Sequence, residues 1–161
     1  MSVLITAASH AAAYKIERLL NLPDVIFADH HELPHFKFSG KKFIKIPAGN
    51  SASYAHEILN IALNEGIKKI FPLYADEILP LAEARQLFSE YGISVMVPSI
   101  NWFTEKNEYL KSSDDLLVII ETGKLLAGKL PQGVMLNDPE LSGLFRVVTE
   151  KGYPVFKLFT V

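Results

Sequence analysis

Two short polar runs in this 161-residue sequence carry side chains that could bind a small molecule. Asp76 and Glu77 are adjacent carboxylates, which suit an amine or ammonium group, although acids at a helix start also serve as caps and favourable charges. Ser9 and His10 could hydrogen-bond an anion where a helix begins, and helix capping explains the same pair. We therefore expect a substrate crevice lined by Ser9, His10, Asp29, Tyr74, Asp76 and Glu77.

The loop that contains Ser9 decides whether a dinucleotide is expected. A dinucleotide-binding fingerprint needs glycines that let the backbone approach the pyrophosphate, and residues 6–11 contain none. Alanine is strained at positive φ, so these residues predict no tight phosphate cradle. Asp29 follows about 20 residues later, where a ribose-binding acid stands in such proteins. A polar strand end accounts for this acid as well, and NAD is disfavoured.

The histidines invite a metal-binding interpretation, because Asp29, His30, His31 and His35 fall within seven positions. Their spacing matches neither a helical pair four residues apart nor an established zinc motif. A solvated loop with incidental histidines explains the run, so the sequence predicts no metal site.

The composition excludes several classes of partner. The chain has 16 Lys and Arg residues against 18 Asp and Glu residues, which leaves no electrostatic footprint for nucleic acid. It has no cysteine, which excludes thiolate metal sites and cysteine nucleophiles. We find neither a signal-peptide pattern nor an apolar run of about 20 residues, and so expect no membrane span and a cytoplasmic location. The expected partner is a small-molecule substrate.

Alternating strand and helix patterns explain how the polar residues would meet. Continuous apolar runs, such as residues 25–28, are typical of parallel strands that helices cover on both faces. Five buried strands are predicted at residues 3–6, 24–29, 43–47, 69–73 and 94–97. Helices are predicted at residues 10–21, from Ser51 or Ser53 to 65, and from Asp76 or Glu77 to 92. The fold class is therefore α/β, with a Rossmann-like, doubly wound, parallel five-stranded sheet over residues 1–98.

This topology predicts where a ligand would sit. In an open parallel sheet, ligands bind beyond the carboxyl ends of the strands, at the point where the connections change direction. With the first strand central, residues 7–10 and 74–77 flank that crevice, and Asp29 with His30 would form one wall.

Residues 99–161 do not continue the alternation of strand and helix patterns. We expect a polar helix at 100–111, an apolar strand or helix segment at 116–120, a helix from Asp138 or Pro139 to 150, and a final strand at 155–161. A chain that stops inside an apolar strand would leave an exposed edge. We therefore predict an incomplete α+β second unit, and a homodimer or other pairing through that strand.

The sequence resembles the pre-ATP-grasp domain over five runs taken in order, at residues 3–6, 25–29, 43–47, 71–82 and 91–99. That domain precedes the ATP-grasp fold in carbamoyl-phosphate-synthase large-subunit-like proteins and related ATP-dependent carboxylate–amine ligases. Three later runs are similar to the opening of the ATP-grasp domain, at residues 105–106, 129–134 and 151–157. Two departures are visible, because Ala7, Ala8 and Ser9 stand where the family usually has Gly, and no Pro follows Lys157.

The resemblance implies an activity and its cofactors. In the intact enzyme, ATP with Mg²⁺ would convert a carboxylate to an acyl phosphate that an amine or ammonia then attacks. Lys106 and Lys157 would be nucleotide contacts, and residues 99–161 would be the N-terminal fragment of the ATP-grasp domain. The metal- and adenine-binding half follows this stretch in the family, so residues 1–161 should not catalyse the reaction alone. For Lys157, a charge that protects an edge strand from aggregation is an equal explanation.

Two other functions stay open. A non-catalytic α/β binding or interaction module would keep the fold without the reaction. A Rossmann-like nucleotide binder would use the crevice for a cofactor. The sequence contains no serine-hydrolase elbow, P-loop or zincin motif, so it gives no support to those chemistries.

Overall fold

The computed structural model describes residues 1–33, 40–105, 109–111 and 117–161. Its first sheet contains β1 (Ser2–Ile5), β2 (Val25–Asp29), β3 (Lys42–Lys45), β4 (Ile67–Phe71) and β5 (Ser94–Val95). All neighbouring strands are parallel, in the order β3-β2-β1-β4-β5. The predicted five-stranded parallel sheet is confirmed, with β1 at its centre.

Helices cover both faces of this sheet. They are α1 (Ala11–Leu20), α2 (Tyr54–Glu65), α3 (Ala75–Glu83), α4 (Arg85–Glu90) and α5 (Ile100–Glu105). Leu4 of β1 belongs to a buried cluster with Ile58 of α2, whereas its neighbour Val3 belongs to a second cluster with Ile16 of α1. Alternate side chains of the strand therefore serve opposite faces. None of the helices in the described ranges has the length and apolar character that a membrane span requires.

The single helix predicted from Asp76 or Glu77 to residue 92 is instead two helices. The helix α3 ends at Glu83, and α4 begins at Arg85 after one intervening residue. Pro80 lies in the second turn of α3. Its missing N–H removes one helical hydrogen bond, and the helix ends within four residues of it.

A second sheet contains β6 (Tyr109–Lys111), β7 (Leu117–Glu121), β8 (Lys124–Ala127), β9 (Gly143–Glu150) and β10 (Tyr153–Thr160). Its order is β6-β10-β9-β7-β8, and every pair is antiparallel except β10 with β6. The helix predicted at 100–111 stops at Glu105, because the next described residues pair with β10 as a strand.

The helix predicted from Asp138 or Pro139 to residue 150 is wrong, because β9 occupies residues 143–150. Lys151 and Gly152, at φ values of 49° and 84°, join β9 to β10 in a two-residue turn of the type that hairpins favour. The β-branched Val147 and Val148 also favour a strand. Pairing of β9 with β10 across this turn therefore makes residues 143–150 a strand.

The strand β10 has neighbours on both sides at its end. Residues 153–158 pair with β9, and residues 158–160 pair with β6. The prediction of an exposed C-terminal edge is therefore wrong for residues 158–160, because β6 covers them. A homodimer is still a prediction, but residues 158–160 offer no free strand edge through which it could form.

The second sheet packs against the first. Val118 of β7 lies in the buried cluster that contains α2. Lys69 of β4 forms an ion pair with Glu121 of β7. The backbone N–H of Val161 donates to the Leu73 carbonyl oxygen at 2.9 Å, just beyond β4. Residues 117–161 therefore help to fix the end of β4, where the polar residues gather.

Candidate functional site

Polar side chains from three strands meet at the carboxyl end of the parallel sheet. Ser9 follows β1, Asp29 ends β2, and Tyr74 follows β4 as the residue before α3. The hydroxyl oxygens of Ser9 and Tyr74 lie 3.3 Å apart, and both groups donate to Asp29. The structure thus joins three of the predicted crevice residues at the expected place.

Asp29 is fully buried at the centre of this group. Its Oδ2 accepts hydrogen bonds from the Ser9 backbone N–H at 2.8 Å and the Ser9 hydroxyl at 2.7 Å. Its Oδ1 accepts from the His31 backbone N–H at 2.9 Å and the Tyr74 hydroxyl at 3.1 Å. Burial raises the pKa of Asp29, but these hydrogen bonds outweigh burial and lower it to about 2. The group is therefore ionised at neutral pH.

The Asp29 carboxylate stands where a ligand phosphate would approach the start of α1. The backbone N–H of Ala8 donates to the Ala28 carbonyl oxygen at 3.0 Å, and that of Ser9 donates to Asp29. Ala7 adopts a φ of 56°, so the loop turns sharply even without glycine. Because both amides have partners inside the protein, they are not oriented to bind a pyrophosphate. This geometry adds a second reason to disfavour a dinucleotide.

Imidazole and phenol rings surround the carboxylate. The ring centroids of His30 and His31 lie 3.9 Å apart, and Tyr74 lies 4.6 Å from His30 and 5.6 Å from His10. Burial and the charge of Asp29 raise the pKa of Tyr74 to about 12, although its hydrogen bond with Ser9 opposes the shift. The phenol is therefore neutral and donates to Asp29. Ser9, His10 and His31 are exposed and form the open side of the group.

Glu77 and Asp76 do not form the predicted carboxylate pair toward one ligand, because Glu77 is fully buried and Asp76 is exposed. Glu77 Oε2 accepts hydrogen bonds from the Thr6 hydroxyl at 2.5 Å and from the backbone N–H groups of Leu73 and Tyr74 at 3.2 Å each. Glu77 therefore ties the end of β1 to the start of α3.

Burial raises the pKa of Glu77 to about 7, although hydrogen bonds from Thr6 and the Tyr74 backbone oppose the shift. Its Oε1 and the hydroxyl of Tyr54 are buried, and neither has a hydrogen-bond partner among the described residues. Burial raises the pKa of Tyr54 well above its ordinary value, and the charge of Glu77 adds to that shift. The two groups thus influence each other's charge without a well-formed hydrogen bond.

Gly49 allows the segment between β3 and α2 to approach the start of α3. A Cβ at this position would lie 2.5 Å from the Asp76 carbonyl carbon and 2.6 Å from the Glu77 backbone nitrogen. Any side chain at Gly49 would have to displace backbone, so glycine at this position fixes where Glu77 lies.

Of the two lysines predicted to contact a nucleotide, the structure describes one. Lys106 lies outside the described residues. Lys157 lies on β10 opposite Arg146 and forms an ion pair with Glu150, and its side chain is 17% exposed. A phosphate oxygen would have to compete with Glu150 for this cation.

Sequence reasoning missed Thr6, which donates a hydrogen bond to Glu77, and Tyr54, whose pKa the charge of Glu77 raises. Thr6 carried a usable signal, since a hydroxyl at the end of a buried strand needs a hydrogen-bond partner. Tyr54 carried no such signal, because a tyrosine at a helix start is equally common at the surface.

Comparisons with known proteins leave the site to be interpreted by its chemistry. No protein-family model matches the sequence, and a search of curated proteins finds no match. The function therefore has to be argued from the crevice and from the sequence runs described above.

Proposed function

We propose that this chain is the substrate-side part of an ATP-dependent carboxylate–amine ligase of the ATP-grasp class. The observation that carries the proposal is the meeting of Ser9, Asp29 and Tyr74 beyond three parallel strands, where open sheets bind ligands. The five sequence runs that resemble the pre-ATP-grasp domain support the same function.

The exposed groups at the crevice suit two small polar reactants. His10 offers an imidazole that can donate to a carboxylate, Ser9 offers a hydroxyl oxygen that can accept a hydrogen bond, and Asp76 offers a negative charge to an ammonium group. Asp29 holds Ser9 in position from behind through two hydrogen bonds. This part of the enzyme would bind and orient an acid and an amine, which lowers the entropic cost of bringing them together.

ATP with Mg²⁺ supplies the phosphoryl group that activates the carboxylate in this class of enzyme. Among the described residues, Lys157 is the cation that we propose for contact with ATP, and it forms an ion pair with Glu150. A lysine ammonium group is a suitable point charge for a phosphate. We assign no Mg²⁺ ligand and no phosphoryl-transfer step to the described residues.

Titration of the chain with ATP and Mg²⁺ by isothermal calorimetry tests the nucleotide contact. We expect Lys157→Ala to weaken binding at least about tenfold, because a charge-assisted contact is lost. Glu150→Gln should strengthen binding, since it removes a carboxylate that competes with phosphate for Lys157. Lys151→Ala, in the adjacent exposed turn, is the matched control and should change nothing. If neither the native chain nor Glu150→Gln binds ATP, the result contradicts a nucleotide contact at Lys157.

A non-catalytic binding module is the second candidate. The observation that favours it is the ion pair of Lys157 with Glu150, which already occupies the cation that a phosphate would need. A module would bind small polar ligands at the crevice and would not bind ATP in any of the variants above. Nucleotide binding that depends on Lys157 would therefore contradict the module.

A further inference from the structure

We propose that Asp29, His30 and His31 form a binding site for a divalent transition-metal ion of the zinc class. One oxygen or nitrogen atom from each of these side chains lies within 4.8 Å of the other two. The site stands at the carboxyl end of β2, beside the crevice, and does not depend on the ligase proposal. The sequence spacing predicts no metal here, so the inference comes from the side-chain geometry alone.

The distances between the candidate ligand atoms suit a tetrahedral ion. His31 Nδ1 lies 3.2 Å from Asp29 Oδ1, and His30 Nδ1 lies 3.9 Å from the same oxygen. Zinc bonds to nitrogen and oxygen of about 2.0–2.1 Å at tetrahedral angles separate neighbouring ligand atoms by about 3.3–3.4 Å. The two observed distances lie on either side of that separation, and the three ligand atoms lie within 4.8 Å of one another, so side-chain rotation would complete the site.

His30 provides an independent reason to expect an ion. Its Nδ1 is buried and has no hydrogen-bond partner in the part of the chain that the structure describes. Buried polar atoms without partners are rare, because losing water without gaining a partner costs free energy. Coordination of a metal would satisfy this nitrogen.

Surrounding hydrogen bonds already orient Asp29 as a ligand. Ser9 holds Oδ2 through its backbone N–H and its hydroxyl, which leaves Oδ1 toward the two imidazoles. The Tyr74 hydroxyl lies 3.1 Å from Oδ1 and 3.3 Å from Oδ2, so it can transfer its hydrogen bond to Oδ2 when Oδ1 binds an ion. Such outer hydrogen bonds fix ligand geometry in known metal sites.

The ligand types select the class of ion. Two imidazole nitrogens and one carboxylate suit zinc and neighbouring transition metals, whereas Mg²⁺ and Ca²⁺ prefer oxygen ligands. The His31 side chain is 59% exposed, so an ion at this position is open to solvent. A fourth ligand would therefore come from water or from a bound molecule.

Calorimetric titration of the untagged full chain with Zn²⁺ tests this site, and the absorption of Co²⁺ serves as a second probe of tetrahedral binding. We expect saturation at one equivalent. His30→Ala and His31→Ala each remove a proposed ligand and should each weaken zinc binding at least about tenfold. Loss of a residue that only hydrogen-bonds to a ligand commonly costs about that much, so loss of the ligand itself should cost no less. His56→Ala, on the exposed face of α2, should bind zinc as the native chain does.

Thermal unfolding supplies a check that the variants are folded. Each variant should unfold cooperatively without zinc, and zinc should raise the melting temperature of His30→Ala less than that of the native chain or of His56→Ala, because an ion stabilises the folded state in proportion to how tightly it binds. Absence of saturable zinc binding by the native chain would overturn the proposal. Unchanged zinc affinity in both His30→Ala and His31→Ala would also overturn it.

Discussion

Replacing Glu77 by alanine should lower the free energy of unfolding by about 3 kcal/mol or more, because several buried donors lose one acceptor together. The Thr6 hydroxyl and the backbone N–H groups of Leu73 and Tyr74 all donate to Glu77 Oε2. The change also removes the link between β1 and the start of α3. Urea-induced unfolding followed by circular dichroism measures the loss.

Glu83→Ala is the matched control for this substitution, because Glu83 lies on the same helix and is exposed. Its effect should be within about 0.5 kcal/mol of zero. Equal destabilisation by Glu77→Ala and Glu83→Ala would show that the buried hydrogen bonds of Glu77 contribute little.

Glu77→Gln should have a different effect, which depends on pH. The pKa of Glu77 is raised from 4.5 to about 7, so the folded protein holds a proton that the unfolded chain loses. The contribution of Glu77 to stability is therefore fully present below about pH 4.5 and falls by roughly 3 kcal/mol as the pH rises to 7. Glutamine keeps an acceptor without the charge, so above pH 7 the variant should be at least as stable as the native protein.

Asp29→Asn should lower the free energy of unfolding by about 2 kcal/mol at pH 7, which is the second large effect that we expect. The pKa of Asp29 is lowered from 3.8 to about 2, so its carboxylate stabilises the fold above about pH 4. That stabilisation is lost as the pH falls through the folded-state value. The difference between the native protein and the variant should therefore shrink toward pH 2 in urea unfolding experiments.

Asp76→Asn is the control for the acidic range, because Asp76 is exposed in the first turn of α3. Loss of a favourable charge at a helix start should cost less than about 1 kcal/mol. If Asp29→Asn and Asp76→Asn have the same stability at pH 7, the hydrogen-bond network around Asp29 does not stabilise the fold as we infer.

The parallel sheet could be predicted because its strands are short, continuous apolar runs between helical patterns. Residues 25–28 and 70–71 show this most clearly, since every residue of β2 and the last two residues of β4 are buried. The same pattern placed the polar loops at one edge of the sheet, and the structure has Ser9, Asp29 and Tyr74 there.

The roles of the two acids at α3 could not be predicted, because Asp76 and Glu77 are equivalent in a sequence pattern. Their opposite environments follow from the position of Gly49 and from the direction of α3 against β1. The strand β9 was predicted as a helix for a related reason. Its hairpin turn uses Lys151 and Gly152, and the pairing of β9 with β10 across that turn is not visible in the local sequence pattern.

The proposed crevice can be tested directly by amide chemical shifts in ¹H–¹⁵N NMR spectra. The native chain is titrated separately with L-glutamate and with ammonium chloride, and sodium chloride at the same ionic strength is the control. We expect at least one probe to shift the amide resonances of Ser9, His10 and Asp76 in a saturable way that sodium chloride does not reproduce. Shifts confined to other parts of the chain, or identical to those caused by sodium chloride, would contradict a substrate crevice at the end of the parallel sheet.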